Sequence, residues 1–238
     1  MYKFKFGLTF LVIFLSLILS GCAFRNKVDP FEGVNRGVFV INKTLDRAIL
    51  KPVACIYLCF PPIVRNRVNN FFQNISEIPT VANDLLQGDF PNFEKDASRF
   101  LLNTTWGLGG LFDVAATVNR CRHHNDFGIT LGKWGYRNSI YIVLPVFGPS
   151  TVRDTIGRAI TYGLTPWPYI RQQKICWGFY AAFAVDTRAC YLKIEPAIDE
   201  AAVDEYVFLR DAYLQRRAAE IRGSCATVEP VLLEEPPE

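Results

Sequence analysis

Apolar residues in this 238-residue chain recur at the helical period almost throughout, which leaves little room for a sheet-based fold. Val34, Val38, Ile41, Leu45 and Ile49 follow at spacings of four, three, four and four, so a helix would carry them on one stripe. Ahead of them, Asp29-Pro30-Phe31-Glu32 reads as a cap, a proline at the first helical position and a carboxylate at the third. Pro61-Pro62 opens a second helix with Val64, Val68, Phe71, Phe72 and Ile75 on one side, and Pro79 is expected to kink or end it. A third, short helix after Pro91 is expected to bury Phe93, Ala97, Phe100 and Leu101. Thr151-Val-Arg-Asp154 has the capping-box pattern and should start another helix, which Pro166 and Pro168 end. Residues 175–185 carry no charge and are too short to span a bilayer, so they should pack in a core or face acyl chains. Ala202, Tyr206, Leu209 and Tyr213 mark a last amphipathic helix. There is no internal repeat and no alternating strand series. The expectation is an all-α chain.

The two ends read differently from the body. Lys3 and Lys5 precede an uncharged stretch over 8–19, shorter than the ~20 residues a spanning helix needs. Leu19-Ser20-Gly21-Cys22 then looks like a bacterial lipobox, with small residues ahead of a cleavage point. Residues 1–21 are therefore expected to be a lipoprotein signal peptide. Cys22 is the expected lipidation site, and 22–28 a tether. Each buried CH₂ contributes ~0.8 kcal/mol, and two or more chains anchor stably. Ala23, in place of Asp, argues for the periplasmic face of the outer membrane. An ordinary N-terminal anchor with Cys22 incidental is the alternative. Residues 223–238 combine Glu229, Glu234, Glu235 and Glu238 with Pro230, Pro236 and Pro237 and read as an acidic disordered tail. The main domain is then 29–222. Removing Lys3 and Lys5 leaves 24 of the 26 basic side chains against 23 acidic ones. Setting aside the four tail glutamates leaves 19 acidic side chains and a body at about +5, a mild basicity that suits an anionic membrane surface and is far from a nucleic-acid footprint.

Within the domain, Gly107-Leu-Gly-Gly-Leu-Phe-Asp113 stands out. Three glycines in four positions cost backbone entropy and permit tight turns and close backbone approach. Leu108, Leu111 and Phe112 supply apolar surface beside the polar Asn103, Thr104, Thr105 and Asp113. A segment greasy on one side and wet on the other suits a lipid path, since a lipid headgroup must stay solvated. A glycine-rich helix–helix turn without ligand is the alternative. The segment matches neither the Walker nor the dinucleotide spacing. Arg153 could pair with Asp113, Asp126 or Asp154, or meet a lipid phosphate through its planar fork; Asp154 reads most simply as a helix cap. His123 and His124, the only histidines, are adjacent and should form an exposed loop pair. Neither metal-ligand spacing nor a nucleophile elbow accompanies them, so no catalytic residue, metal or cofactor is expected. Six further cysteines (Cys55, Cys59, Cys121, Cys176, Cys190 and Cys225) leave disulfide pairing open. The many aromatics, Trp106, Trp134, Trp167 and Trp177 among them, suit either a membrane boundary or a core.

Three ordered phrases carry a resemblance: Asn103-Thr-Thr-Trp-Gly-Leu-Gly-Gly-Leu-Phe-Asp-Val-Ala115, Asp126-Phe-Gly-Ile-Thr-Leu-Gly-Lys-Trp-Gly135 and Leu144-Pro-Val-Phe-Gly-Pro-Ser-Thr-Val-Arg-Asp154. With Asp29-Pro30-Phe31-Glu32-Gly33-Val34-Asn35-Arg36, Asn83-Asp84-Leu85-Leu86-Gln87-Gly88 and Ala212-Tyr-Leu-Gln-Arg-Arg217, the chain closely resembles the MlaA (VacJ) family of outer-membrane lipoproteins. The resemblance implies amphipathic helices arranged as a membrane-embedded ring with a central channel. It implies removal of mislocalised phospholipids from the outer leaflet of the outer membrane, with Asn103, Thr104, Thr105, Gly107, Leu108, Gly109, Gly110, Leu111, Phe112, Asp113 and Arg153 as lipid-path residues. The implied partners are phospholipid, the periplasmic carrier MlaC and a trimeric porin. The chain departs from the family pattern at Ser139-Ile140, where Gly-Pro is common before Tyr141, and at Asn125, where an acidic residue is usual. A structural or virulence-associated envelope lipoprotein that moves no lipid is the competing class.

Overall fold

A computed structural model describes residues 28–118, 120 and 122–223. The expected signal peptide, Cys22, most of the tether, Cys121 and the acidic tail from 224 lie outside the described residues. Among the described residues ten α-helices follow in order: α1 (Glu32–Leu45), α2 (Lys51–Leu58), α3 (Pro62–Gln87), α4 (Phe90–Thr105), α5 (Val114–Thr117), α6 (Phe127–Lys133), α7 (Val152–Leu164), α8 (Gln173–Tyr191), α9 (Glu195–Ala201) and α10 (Glu205–Arg222). A π-helical turn at Asp46–Leu50 joins α1 to α2, and a 3₁₀ turn at Trp167–Tyr169 follows α7.

The chain is mainly helical but not all-α. Strands β1 (Tyr141–Leu144) and β2 (Gly148–Thr151) pair antiparallel, with Tyr141 opposite Thr151 and Leu144 opposite Gly148. Four residues per strand are too few to register as an alternating series, and Gly148, at φ +76°, supplies the left-handed turn the hairpin needs. The hairpin is stabilised by side chains rather than by more strands. Asn35 accepts from the Val143 amide at 2.9 Å and donates to the Tyr141 carbonyl at 3.2 Å. Two helical turns on, Asn42 donates to the Leu144 carbonyl at 2.9 Å and accepts from the Val146 amide at 2.7 Å. Two amides on one face of α1 thus act as a substitute strand edge. Asp29, expected as a cap, is instead buried, accepting from Asn35 at 2.8 Å and Tyr206 Oη at 2.5 Å; α1 begins only at Glu32.

Pro79 neither ends nor divides α3, which runs through it for 26 residues. The lost amide is surrounded by compensating bonds: Thr80 Oγ1 donates to the Ser76 carbonyl at 3.0 Å and Asn83 Nδ2 to the Pro79 carbonyl at 2.7 Å. Side-chain bonds and packing against α4 outweigh a proline's cost in such a setting.

The more consequential departure is which faces are inside. On α4 the buried positions are Asp96, Arg99 and Asn103, not the expected Phe93, Ala97, Phe100 and Leu101; Leu101 is exposed. Along α1 and the π-helical turn that follows it, Val34, Ile41, Leu45 and Ile49 of the predicted stripe are also exposed. Among the described residues 19 buried side chains are polar or charged and 8 hydrophobic, whereas 37 large hydrophobics are exposed. Exposed apolar side chains thus outnumber buried ones, the reverse of an ordinary oil-core fold. No described helix is long and apolar enough to cross a membrane.

Close packing is therefore concentrated where polar elements meet. At the α6–α7 crossing, Gly157 faces the Gly128 backbone so tightly that a Cβ there would collide with the Gly128 amide nitrogen and lie 2.6 Å from its Cα. Gly157→Ala is expected to destabilise the protein by roughly 1–3 kcal/mol, read as a lowered melting temperature of the detergent-solubilised chain. Gly163→Ala, with open space around it, is the control that should not lower it.

Candidate functional site

The two ends of the glycine segment, Asn103 and Asp113, are held by buried charges. Arg99 on α4 is 1% exposed and donates to Glu77 Oε1 at 3.2 Å, to both Asp113 oxygens at 3.1 and 3.2 Å, and to the Arg120 carbonyl. Asn103 Nδ2 adds a bond to Asp113 Oδ1 at 2.9 Å, while Asn103 Oδ1 accepts from the Ala115 amide at 2.9 Å. Asp113 also N-caps α5 by accepting from Ala116 N. Burial disfavours the ionised form of Asp113, but Asn103 and Arg99 outweigh it and hold the carboxyl below its ordinary range. Arg122 approaches the same carboxylate at 3.4 Å.

Above this platform the segment turns outward. Gly107 and Gly110 are buried, while Trp106, Leu108, Leu111 and Phe112 are exposed, Trp106 by 73% and Leu108 by 66%. Leu108, Gly109 and Gly110 have φ of +52°, +73° and +92°. Three successive left-handed residues explain the glycines, and Leu108 holds its conformation at a steric cost. Gly110 is also pressed on Asn74: a Cβ would collide with Asn74 Cβ and sit 2.7 Å from its Cγ. Thr104 Oγ1 accepts from Asn74 Nδ2 at 3.0 Å, whereas Thr105 Oγ1 turns back to the Leu101 carbonyl at 2.6 Å. The Arg67 guanidinium stacks over Phe112 at 3.9 Å. The segment is thus an apolar lip on an ionic base in which Glu77 Oε2 and Arg122 Nε still lack hydrogen-bond partners.

Arg153 does not join this lip. It is buried, and donates to Asp154 Oδ1 at 2.9 Å from two nitrogens and to the Tyr136 and Arg137 carbonyls at 3.3 and 3.2 Å. Asp154 is not the helix cap; Thr151 caps α7, accepting from Asp154 N at 3.1 Å. The Asp154 side chain serves a second ionic knot instead. Arg217 of α10 pairs with both Asp126 oxygens at 2.9 Å and with Asp154 at 2.8 and 3.2 Å. Tyr213 donates to Asp154 at 2.7 Å. Gly128 sits against this knot, since a Cβ would lie 2.5 Å from Asp154 Oδ1 and 2.8 Å from Arg217 Nη2. That contact explains the glycine of Asp126-Phe-Gly128.

The histidines are not an exposed pair. His124 is exposed, but His123 lies largely buried with Nδ1 2.9 Å from Asp96 Oδ2. Cys55, Cys59, Cys176 and Cys190 are free thiols. Sequence reasoning missed Glu77, Arg99 and Arg122. Their trace was a polar stripe, Asp96, Arg99 and Asn103 at helical spacing on α4, facing Thr80, Asn83 and Asp84 on α3.

Comparison with known proteins agrees with this arrangement. The model of the MlaA lipoprotein family matches residues 27–220, and the chain belongs to that family. It is 34% identical to the intermembrane phospholipid transport system lipoprotein MlaA of Escherichia coli K12, over 84% of this chain and 82% of that protein. An uncharacterized protein of Rickettsia conorii is 36% identical, over 85% of this chain and 81% of its own length. A chain solved in work on the structural basis for maintenance of bacterial outer membrane lipid asymmetry superposes with a TM-score of 0.72 at 33% identity, covering 81% of this chain and 98% of that one.

Two consequences follow from the ionic base. Arg99→Leu removes the more deeply buried of the two cations shared by Glu77 and Asp113, leaving only the longer Arg122 contacts, and should cost about 3–5 kcal/mol, measured by chemical denaturation in detergent. Burial pushes the Asp126 carboxyl up, but Arg217 more than reverses this and brings it down to about 2. A depressed folded pKa contributes stability that is complete above the unfolded value near 3.8 and is lost as pH falls toward 2. A melting curve taken between pH 5 and pH 2 should therefore lose roughly 2 kcal/mol from this carboxylate, and Asp126→Asn should flatten that dependence.

Proposed function

We propose that this chain is a lipid-anchored component of the outer membrane that withdraws mislocalised phospholipids from the outer leaflet and passes them to a periplasmic carrier of the MlaC kind, so maintaining lipid asymmetry. The observation that carries the reading is the inversion of faces: buried Asp, Glu, Arg and Asn inside, exposed Val, Ile, Leu, Phe and Trp outside. An apolar exterior is stable against acyl chains and unstable in water. A polar interior offers a route on which a headgroup keeps its hydrogen bonds. Family membership and the names of the relatives point the same way.

In this reading Cys22 carries the anchoring acyl chains on the periplasmic side, and the helices form a ring around a central amphipathic channel in the inner leaflet. A trimeric porin sits alongside. The lipid path runs over Asn103–Asp113: Trp106, Leu108, Leu111 and Phe112 meet the tails, and Thr104 and Thr105 the polar end. Asn103 and Asp113 hold the base, with their polar atoms already committed to Arg99 and Ala115. Arg153 supports the neighbouring knot rather than meeting phosphate, since its fork is committed to Asp154 and two carbonyls. The chain binds, orients and releases lipid and breaks no bond.

Surface-exposed phospholipid in a deletion strain, with and without the gene restored, tests the role. It should rise on deletion and fall on restoration; no change would leave a structural envelope lipoprotein as the better reading. Gly109→Trp tests the path. Space around Gly109 is open, unlike that at Gly110, so the ring would lie outside the fold and obstruct the lip, although φ +73° makes any side chain there strained; Gly109→Ala, which carries the same backbone strain without the bulk, is the control. Gly109→Trp is expected to fail to restore lipid asymmetry where Gly109→Ala at a matched level restores it. Full restoration by Gly109→Trp would remove the segment from the path.

A further inference from the structure

Three side chains from separate segments converge beneath the loop that precedes α6, and neither the lipid path nor the family comparison uses them. Asp84 lies near the end of α3, Asp96 in the first half of α4, and His123 in the connection from α5 to α6. One donor atom from each lies within 4.8 Å of the other two. His123 Nδ1 is 2.9 Å from Asp96 Oδ2 and 3.8 Å from Asp84 Oδ1. Ligands held ~2.0–2.2 Å from a central ion stand about 3–3.5 Å apart, so only small side-chain movements would enclose one.

Both carboxylates are 0% exposed, and each has an oxygen that lacks a partner. Asp84 Oδ1 accepts from Asn125 Nδ2 at 2.7 Å, but Asp84 Oδ2 has no hydrogen-bond partner among the described residues; neither does Asp96 Oδ1. A carboxylate oxygen left bare in the interior is costly. Nearby cations are already committed. Arg99 and Arg122 serve Glu77 and Asp113, and Lys133 Nζ donates to Gln87 Oε1 at 2.7 Å, with Asp89 4.0 Å away. That leaves His123 as the single neighbour able to offset two buried carboxylates.

We propose that Asp84, Asp96 and His123 form a structural binding site for one divalent transition-metal ion, zinc above all, which ties α3 and α4 to the loop leading into α6. A dication neutralises both carboxylates at once, fills the bare oxygens and uses the imidazole as a neutral nitrogen donor. One nitrogen and two oxygen ligands suit zinc or manganese, whereas calcium and magnesium prefer all-oxygen shells. Asn125 supplies the outer-shell bond that orients Asp84. An amide at this position avoids adding a third negative charge to the pair. No spacing rule reveals the site, because its ligands come from two helices and a loop at separations of 12 and 27 positions.

The test uses the full lipidated chain, extracted in detergent without chelator. Elemental analysis should find about one zinc per chain, and the chelator-stripped protein should rebind one zinc by calorimetry, with a raised melting temperature and no comparable response to calcium. His123→Gln, at the edge of the cluster, should still fold and should weaken zinc binding by more than the ~10–100-fold that loss of an outer-shell partner costs. Asp96→Asn should do the same. Absence of saturable zinc binding in the unmodified chain would overturn the site and leave a proton shared by Asp84 and Asp96 as the neutralising charge. Zinc affinity unchanged in His123→Gln would also overturn it, placing the metal on the free cysteines instead.

Discussion

Arg217 holds Asp126 and Asp154 at the same time, and the rest of the chain is arranged around that pairing and its counterpart at Arg99. Each guanidinium is buried, and a buried ion without partners costs several kcal/mol after relaxation. Each must therefore gather carboxylates from wherever the sequence can supply them. Arg217 reaches back 91 residues to Asp126 and 63 to Asp154. Arg99 takes Glu77 from the preceding helix and Asp113 from the following turn. These long-range ties do what an apolar core does in a water-soluble bundle, but with direction: a fork accepts a carboxylate in few orientations.

That interior explains which parts of the structure were legible in the sequence. Helices were, because a stripe such as Val34, Val38, Ile41, Leu45 and Ile49 has the same period whether it faces inward or outward. Its direction was not. Periodicity reports that two faces differ but not which one turns inward, and on the helix from Phe90 to Thr105 it is the polar face of Asp96, Arg99 and Asn103 that is buried. Phe93 and Leu101 were misplaced for this reason, and Asp96 and Arg99 were overlooked for the same one.

Local chemistry fared unevenly as well. Thr151 was readable as a cap because the capping box is a contiguous pattern. Asp29 looked like one, but its carboxylate is used by Asn35 and Tyr206, the latter 177 residues away, and tertiary demand took precedence over the local bond. The hairpin escaped notice because Asn35 and Asn42, polar residues on a helix, supply its outer hydrogen bonds. His123 was taken for surface because nothing nearby in sequence could hold it; Asp96 is 27 residues away.

The glycine segment joins the two halves of the argument. A chain that crosses left-handed space at Leu108, Gly109 and Gly110 in succession would ordinarily relax, since strained backbone persists only where its surroundings over-determine it. Here both ends are pinned at the buried Arg99: Asp113 accepts from Arg99 and from Asn103, Asn103 in turn accepts from the Ala115 amide, and Gly110 is wedged against Asn74. Hydrogen bonds from Gly110 to Asn103 at 2.8 Å and from Phe112 to Gly107 at 3.0 Å close the turn on itself. Trp106, Leu108 and Phe112 are thereby displayed with little freedom to fold back over the polar base. An apolar lip that cannot collapse onto the charges below keeps greasy and wet surfaces side by side, which a flexible loop of the same composition would not do.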